Sequence, residues 1–147
     1  TQRYGRVGQY VRSDLFTVQE DELIDLAASI MDWEKVRHIP VEDEGHNLVG
    51  LVSYRSILRV ISDPKLRMKG SVSVSEIMHR DPVTATPETT TLDAIGMMRD
   101  HGASCLPVVR DRKLVGLVTE HDFMRIAGQL LEAQLRDKPE GVGLDPA

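Results

Sequence analysis

The sequence is poor in the features that mark disulfide-linked and membrane-spanning proteins. It has one cysteine, Cys105, among 147 residues, so no internal disulfide can form, and a single thiol fits a reducing compartment. Its longest apolar runs, such as residues 48–52, are far shorter than the ~20 residues that a membrane-spanning helix needs. Residues 1–6 contain no apolar stretch that resembles a secretory signal. We therefore expect a cytoplasmic protein without a membrane span.

Positive charge is also not in excess. Lys and Arg number 18 against 23 Asp and Glu, which gives a formal net charge of −5. Proteins that bind nucleic acid by neutralising phosphates usually carry a basic patch. A local basic cluster, Lys65, Arg67 and Lys69, lies in a predicted linker, and we interpret it as solubilising charge. The composition therefore predicts no nucleic-acid partner.

Residues with metal-binding or catalytic chemistry are scattered. The five histidines include no pair at ligand spacing on one helix face. Gly5 and Gly8 are not followed by a helix-opening Lys-Ser/Thr, so they do not form a phosphate loop. Cys105 directly precedes Leu106 and Pro107, and we interpret it as a buried core thiol rather than a nucleophile. The sequence therefore predicts no catalytic residue, no metal site and no enzyme activity.

An internal repeat organises the chain. The five residues 48–52 recur without change at 114–118. Upstream, at an offset one residue larger, residues 39–41 match residues 106–108. One residue inserted in the acidic stretch 42–47 reconciles the two offsets, because a turn of this composition tolerates insertion. The chain therefore contains two copies of one unit.

Each copy predicts the same β-α-β-β-α order of elements. Apolar residues at three- and four-residue steps predict the first helix of each copy, and paired apolar runs predict a hairpin. For the second copy, Thr86 is the predicted cap and Pro87 the first position of that helix. For the first copy, the acidic residues 20–22 are predicted to lie in the first helical turn. The predicted elements are leading turns at 7–11 and 74–78, strands at 15–18 and 82–85, helices at 21–33 and 88–101, hairpins at 36–41 with 48–53 and 105–110 with 113–119, and helices at 55–61 and 121–135.

The predicted fold class is α+β. A half of roughly 55 residues with one sheet cannot easily bury both faces of that sheet. We therefore predict that the two β-α-β-β-α repeats pack sheet against sheet as a pseudo-twofold pair, and we expect a homodimer because a second copy would bury more surface. The predicted parts are repeat 1 at 7–61, a linker at 62–73, repeat 2 at 74–131, and a helix end with a flexible tail at 132–147.

Near its end, each copy carries a seven-residue motif. The motif consists of a glycine, two hydrophobic residues, a hydroxyl residue, two variable residues and a last position that is Asp in the second copy and Ser in the first. In the second copy this motif runs from Gly116 to Asp122, and in the first from Gly50 to Ser56. Together with Thr84 and the matching residues 39–41 and 106–108, this motif resembles that of a tandem pair of CBS (cystathionine β-synthase) domains, also called a Bateman module. The resemblance covers about residues 7–131. The resemblance implies a regulatory module that requires no cofactor, binds AMP, ADP, ATP, S-adenosylmethionine or sometimes NAD, and controls an enzyme or transporter.

The resemblance also implies a ligand site in the second copy. The Asp122 carboxylate can accept hydrogen bonds from both ribose hydroxyls, and Thr119 precedes a helix whose free N–H groups can face an anion. Thr84 resembles the family residue that lines the adenine and ribose, and the apolar residues expected to sandwich the base are Val83 and Leu106. Each polar residue also has a purely structural interpretation, because Thr119 and Asp122 suit any helix start and Thr84 suits any strand.

The first copy departs from the family pattern. Ser56 stands where the family has Asp, so we expect its site to be empty, degenerate or specific for something else. Arg37 and His38 precede residue 39, where the resemblance implies that basic residues reach phosphates across the cleft. An exposed arginine and a packed histidine are the alternative, and S-adenosylmethionine would need no phosphate contact.

Two functions remain open from the sequence. Asp122 favours a ligand sensor, whereas Ser56 favours a dimerisation or interaction module whose nucleotide site is vestigial. The chain does not begin with methionine, and we expect it to be part of a longer polypeptide that carries a catalytic or transport domain.

Overall fold

A computed structural model describes residues 4–137; the predicted tail from residue 138 onward lies outside them. The elements of the first half are β1 (Val18–Gln19), α1 (Ile24–Glu34), β2 (His38–Glu42), β3 (Leu48–Ser53), α2 (Tyr54–Ser62) and α3 (Pro64–Met68). Those of the second half are β4 (His79–Arg80), α4 (Thr91–His101), β5 (Cys105–Arg110), β6 (Lys113–Thr119) and α5 (Glu120–Asp137). None of the helices between residues 4 and 137 combines the length and apolar character that a bilayer crossing requires.

The repeat is visible in the register of the two hairpins. Strands β2 and β3 are antiparallel with Ile39 opposite Val52, and β5 and β6 are antiparallel with Leu106 opposite Val118. All four of these side chains are buried. The first sheet has the strand order β1-β2-β3-β4 and the second has β5-β6. The predicted α+β pair of repeats is therefore confirmed.

The segment that precedes each repeat packs against the other repeat. Residues 6–12, which we call the leader, place Val7 in the core of the second repeat, together with Leu106 and Ile126. Conversely, Val74 and Met78 belong to the core of the first repeat, and β4 pairs with β3. The sequence predicts that residues 7–11 belong to the first repeat and residues 74–78 to the second. Each of these leading segments therefore contributes to the core of the repeat that it does not precede.

Two of the predicted helix starts are wrong. Helix α4 begins at Thr91, and its cap is Thr90, whose hydroxyl accepts a hydrogen bond from the Asp93 N–H at 3.2 Å. The predicted opening at Thr86 and Pro87 is instead a turn, because the Pro87 carbonyl accepts from the Gly8 N–H of the leader at 2.8 Å. In the first repeat, α1 begins at Ile24, so the acidic residues 20–22 precede it.

The predicted linker contains a short helix. Asp63 caps α3 by accepting a hydrogen bond from the Lys65 N–H at 2.9 Å, and Pro64 takes the first helical position. A proline suits that position because its missing N–H would have no partner within the helix. The connection between the repeats is therefore locally ordered rather than extended.

The two repeats contact each other at their hairpin turns. The Leu48 N–H donates to the Arg112 carbonyl at 2.9 Å, and Lys113 Nζ donates to the Gly45 carbonyl at 2.6 Å. A second contact joins the starts of the two hairpins, where His38 Nε2 lies 3.1 Å from Ser104 Oγ. These contacts place β2 and the residues before β5 side by side across the pair.

Candidate ligand-binding site

The junction between β6 and α5 holds the candidate acid, Asp122. Thr119 ends the strand, and its hydroxyl accepts a hydrogen bond from the Asp122 N–H at 3.4 Å. In return, Asp122 Oδ2 accepts from the Thr119 N–H at 2.9 Å and from its hydroxyl at 3.2 Å. This reciprocal arrangement is a capping box, which satisfies helix-end groups that have no partner within the helix. The predicted cap is therefore present, and it uses one oxygen of the carboxylate.

The other carboxylate oxygen, Asp122 Oδ1, has a different environment. Asp122 is only 3% exposed, and Oδ1 lies 3.2 Å from Arg12 Nη2 and 3.8 Å from Arg125 Nη2. Neither nitrogen makes an aligned hydrogen bond, and within residues 4–137 no donor satisfies Oδ1. A buried acceptor without an aligned donor is uncommon and costly. Oδ1 is therefore the atom of this junction best suited to accept from a bound hydroxyl.

Arg12 is a contact that the sequence analysis missed. It lies at the end of the leader, where its backbone carbonyl accepts from the Leu117 N–H at 3.2 Å. No motif joins Arg12 to Asp122, because their proximity depends on the leader crossing to the second repeat. Tyr10 lies in the same region, and burial is the main reason that the pKa of its phenol is raised, with a smaller contribution from the Asp122 charge and opposition from a hydrogen bond to Thr91.

Two of the predicted base-lining residues, Val83 and Thr84, lie in the predicted strand 82–85, where the structure has only an isolated bridge between Ala85 and Val108 of β5. The Ala85 N–H donates to the Pro107 carbonyl and the Ala85 carbonyl accepts from the Val109 N–H, which places the preceding residues beside β5. Thr84 and Val83 are both half-buried. Leu106 has no exposed surface and packs in the second core, so its contact with a base stays a prediction.

The corresponding place in the first repeat has no carboxylate. Ser53 caps α2 by accepting from the Ser56 N–H at 3.3 Å, and the two hydroxyls lie 3.2 Å apart. Ser56 lines a small pocket together with Arg59, Glu76 and Met78. Because a serine hydroxyl cannot match a carboxylate as an acceptor of two hydrogen bonds, the two repeats differ at the position that defines the candidate site.

Basic side chains gather where the repeats meet. The Arg37 guanidinium lies over the Tyr54 ring at 5.6 Å from its centroid, and that of Arg55 lies at 5.8 Å. Arg55 Nε also donates to the Tyr54 hydroxyl at 3.3 Å, and this hydrogen bond is the main reason that the pKa of the phenol is lowered. His38 is half-buried beside Arg37. The structure therefore brings the predicted Arg37 and His38 together with Arg55, which the sequence analysis did not select.

The surroundings of His38 favour its neutral form. Burial lowers the pKa of its imidazole from the ordinary value of 6.5, and the charges of Arg37 and Arg55 lower it further, whereas Glu120 opposes them. The unfolded chain therefore takes up this proton at a higher pH than the folded chain does. The contribution of neutral His38 to the free energy of unfolding is fully present above the pKa that His38 has in the unfolded chain. It is lost as the pH falls below that pKa.

We expect the free energy of unfolding to fall more between about pH 7.5 and about pH 5.5 in the wild type than in a His38→Gln variant. Urea denaturation of both proteins at the two pH values measures this difference. The same loss in both proteins would mean that His38 does not govern stability in this range.

A family model described as CBS domain matches the chain twice, over residues 7–63 and 74–128. The chain belongs to the CBS domain family. The predicted family is thereby confirmed, and both matches include the glycine-containing motif from which it was recognised. The pair is 32% identical over 123 residues to homoserine O-acetyltransferase from Methanococcoides burtonii, with 83% of this chain but 24% of that relative covered. It therefore spans about a quarter of that relative's length.

Solved structures of CBS proteins share the fold of this CBS pair. CBSX2 in complex with AMP is 30% identical with a TM-score of 0.76, and the match covers 86% of this chain and 98% of that one. A CBS domain pair in complex with 5′-methylthioadenosine and S-adenosyl-L-methionine is 27% identical with a TM-score of 0.77, covering 85% and 97%. Adenosine derivatives are therefore bound in two structures that resemble this CBS pair.

The lone thiol of this CBS pair is in the core. Cys105 is buried, and burial, with a smaller contribution from the Asp122 charge, raises the pKa of its thiol to about 12. A nucleophilic cysteine requires the thiolate, and this environment disfavours the thiolate of Cys105 near neutral pH. Among residues 4–137, no cluster of His, Cys, Asp or Glu side chains is arranged to hold a metal ion.

Proposed function

We propose that this CBS pair is a regulatory, non-catalytic module that binds one adenosine derivative at a site anchored by Asp122 and controls an attached or associated protein. The observation that carries this proposal is the buried carboxylate oxygen Oδ1, which lacks an aligned donor at a helix start. Two similar CBS structures contain AMP or S-adenosylmethionine with 5′-methylthioadenosine, which supports this ligand class. AMP, ADP, ATP and S-adenosylmethionine are the candidates.

The proposed ribose contact uses Asp122. Since Oδ2 is engaged by Thr119, a ribose hydroxyl would donate to Oδ1, and the second hydroxyl would share the remaining lone pairs of the carboxylate. Hydrogen bonds to an ionised acceptor are stronger than those between neutral groups. The half-buried Thr84 and Val83 would form the wall on which the base lies, and Leu106, which has no exposed surface, would join that wall only where ligand binding uncovers it.

The proposed phosphate contact uses the basic side chains at the junction of the repeats. Within residues 4–137, neither Arg37 nor Arg55 has a carboxylate within ion-pair distance, so both guanidiniums are available to an anion. His38 lies beside them and is anchored to the second repeat through Ser104. A nucleotide bound at Asp122 with its phosphates directed to Arg37 would therefore contact both repeats.

Arg37→Ala is expected to weaken AMP binding about tenfold, the effect of one lost hydrogen bond to a charged group. S-adenosylmethionine has no phosphate, so its affinity should change by less than about twofold. Thermal denaturation in the presence of each ligand measures the two changes in affinity. A ligand at ~100 times its dissociation constant stabilises the native state by about 2.7 kcal/mol, so weaker binding gives a smaller rise in the melting temperature. Equal losses for both ligands would contradict a phosphate contact at Arg37.

The alternative function is a dimerisation or interaction module with a vestigial nucleotide site. It is favoured by large apolar side chains that remain exposed on helices, with Trp33 at 84% and Leu92 at 82% exposure. A homodimer that covers these residues is compatible with both functions. Sedimentation measurements beside the ligand panel separate them, because a stable dimer without any ligand-induced shift would favour the alternative. Cytoplasmic residence and a linked catalytic or transport domain remain predictions.

A further inference from the structure

The leader packs on the second repeat and continues along the chain into the first. It is bound to the second repeat by the Val7 N–H, which donates to the Thr89 carbonyl at 2.9 Å, and by the Gly8 N–H, which donates to the Pro87 carbonyl at 2.8 Å. After Arg12 the chain continues to β1 in the first repeat. The leader therefore restrains one repeat relative to the other.

Arg12 fastens the end of this leader to the proposed ligand site. Its guanidinium is 3.2 Å from Asp122 Oδ1, and its side chain is 60% exposed whereas that of Asp122 is 5% exposed. An exposed guanidinium can turn into solvent with little rearrangement, whereas the buried carboxylate cannot move away. The Arg12 side chain is therefore the removable partner in this ion pair.

We propose that Arg12 is a latch that competes with the ligand for Asp122. A ribose hydroxyl that donates to Oδ1 takes the place of the Arg12 guanidinium, because Oδ1 is buried and Arg12, the nearer of its two charged neighbours, is the exposed partner. Occupancy of the site then loosens the leader and, through it, the restraint between the repeats. The competition rests on the proposed function, whereas the latch between Arg12 and Asp122 exists without ligand.

Among residues 4–137, the equivalent position of the first repeat holds no such ion pair. His79 corresponds to Arg12, because the two residues pair with equivalent leucines of the repeat. His79 lies opposite Leu51 on β3, and Arg12 lies opposite Leu117 on β6. The residue that corresponds to Asp122 is Ser56, which has no charge to hold a basic partner. His79 therefore offers a matched control position.

The latch is tested first without ligand, by hydrogen–deuterium exchange of the leader amides. Arg12→Gln and Asp122→Asn should each speed exchange of the Val7 and Gly8 amides about tenfold, because each change frees the end of the leader. The double variant should exchange no faster than either single variant, because both substitutions break the same contact, the ion pair between Arg12 and Asp122. His79→Gln should leave these amides unchanged. Unchanged exchange in the single variants, or additive effects in the double variant, would overturn the latch.

The competition is tested by titration with AMP and with S-adenosylmethionine. Arg12→Gln should bind tighter by about two- to fivefold, the range expected for an ion pair whose arginine is exposed, and ligand should speed leader exchange in the wild type. Weaker binding by Arg12→Gln would make Arg12 a ligand contact, and unchanged affinity would remove the competition. If neither ligand binds either protein, the proposed function and the competition both fail, while the exchange measurements still decide the latch.

Discussion

Replacement of Asp122 by Asn is expected to raise the dissociation constants of adenosine ligands by at least about 100-fold. Each hydrogen bond to an ionised acceptor contributes about 1.5–3 kcal/mol, and a factor of ten corresponds to about 1.4 kcal/mol. Loss of the charge that two ribose hydroxyls share therefore removes most of the affinity. Isothermal titration measures the dissociation constants directly.

The control for this variant is Ser56→Ala, at the corresponding position of the first repeat. Its affinity should stay within about twofold of the wild type, because the proposed site depends on the carboxylate of the second repeat only. Urea denaturation should show that Asp122→Asn remains folded, since the Thr119 hydroxyl can still accept from the backbone N–H of residue 122. Wild-type affinity in Asp122→Asn, or lost binding in Ser56→Ala, would place the site elsewhere.

Gly116→Ala is expected to destabilise the fold by about 2–3 kcal/mol, the upper range for overpacking. A Cβ atom at Gly116 would lie 2.3 Å from the Arg12 carbonyl oxygen and 2.5 Å from Val11 Cγ2. The carbonyl is hydrogen-bonded to Leu117, so the backbone of the leader would have to move away from β6. The midpoint and slope of urea denaturation measure the loss.

Gly50→Ala is the matched comparison in the first repeat. There the nearest atom to an added Cβ is Met78 Sδ at 2.6 Å, with the His79 carbonyl oxygen at 3.1 Å. A methionine side chain adapts readily, so the loss should be about 1 kcal/mol. If the two alanine variants lost equal stability, the tight backbone contact between the leader and β6 would be contradicted.

The repeated apolar segments predicted the central elements of both repeats well. The predicted strands 48–53, 105–110 and 113–119 have the bounds that the structure gives them, because each is a short apolar run that ends at a turn or a helix start. The starts of α1 and α4 were placed too early. There the proline and acidic residues suited a helix locally, but contacts with the leader and with the segment before β4 hold that backbone in turns.

The candidate site could be predicted only where its residues lie close in sequence. Thr119 and Asp122 are three positions apart at a strand–helix junction, so their capping contact follows from the motif. Arg12 had no such signal, because it reaches Asp122 only through the crossing of the leader. Arg55 had a weak signal, since it lies in the first turn of the helix that follows Ser53, but its contact with Tyr54 depends on side-chain placement.

The most direct test of the account is the stoichiometry of ligand binding. Isothermal titration of the intact chain with AMP, and separately with S-adenosylmethionine, counts the sites per chain. The account predicts one site per chain for at least one of these ligands, and its loss in Asp122→Asn. Two equivalent sites, or one site that persists in Asp122→Asn, would contradict a single site anchored in the second repeat.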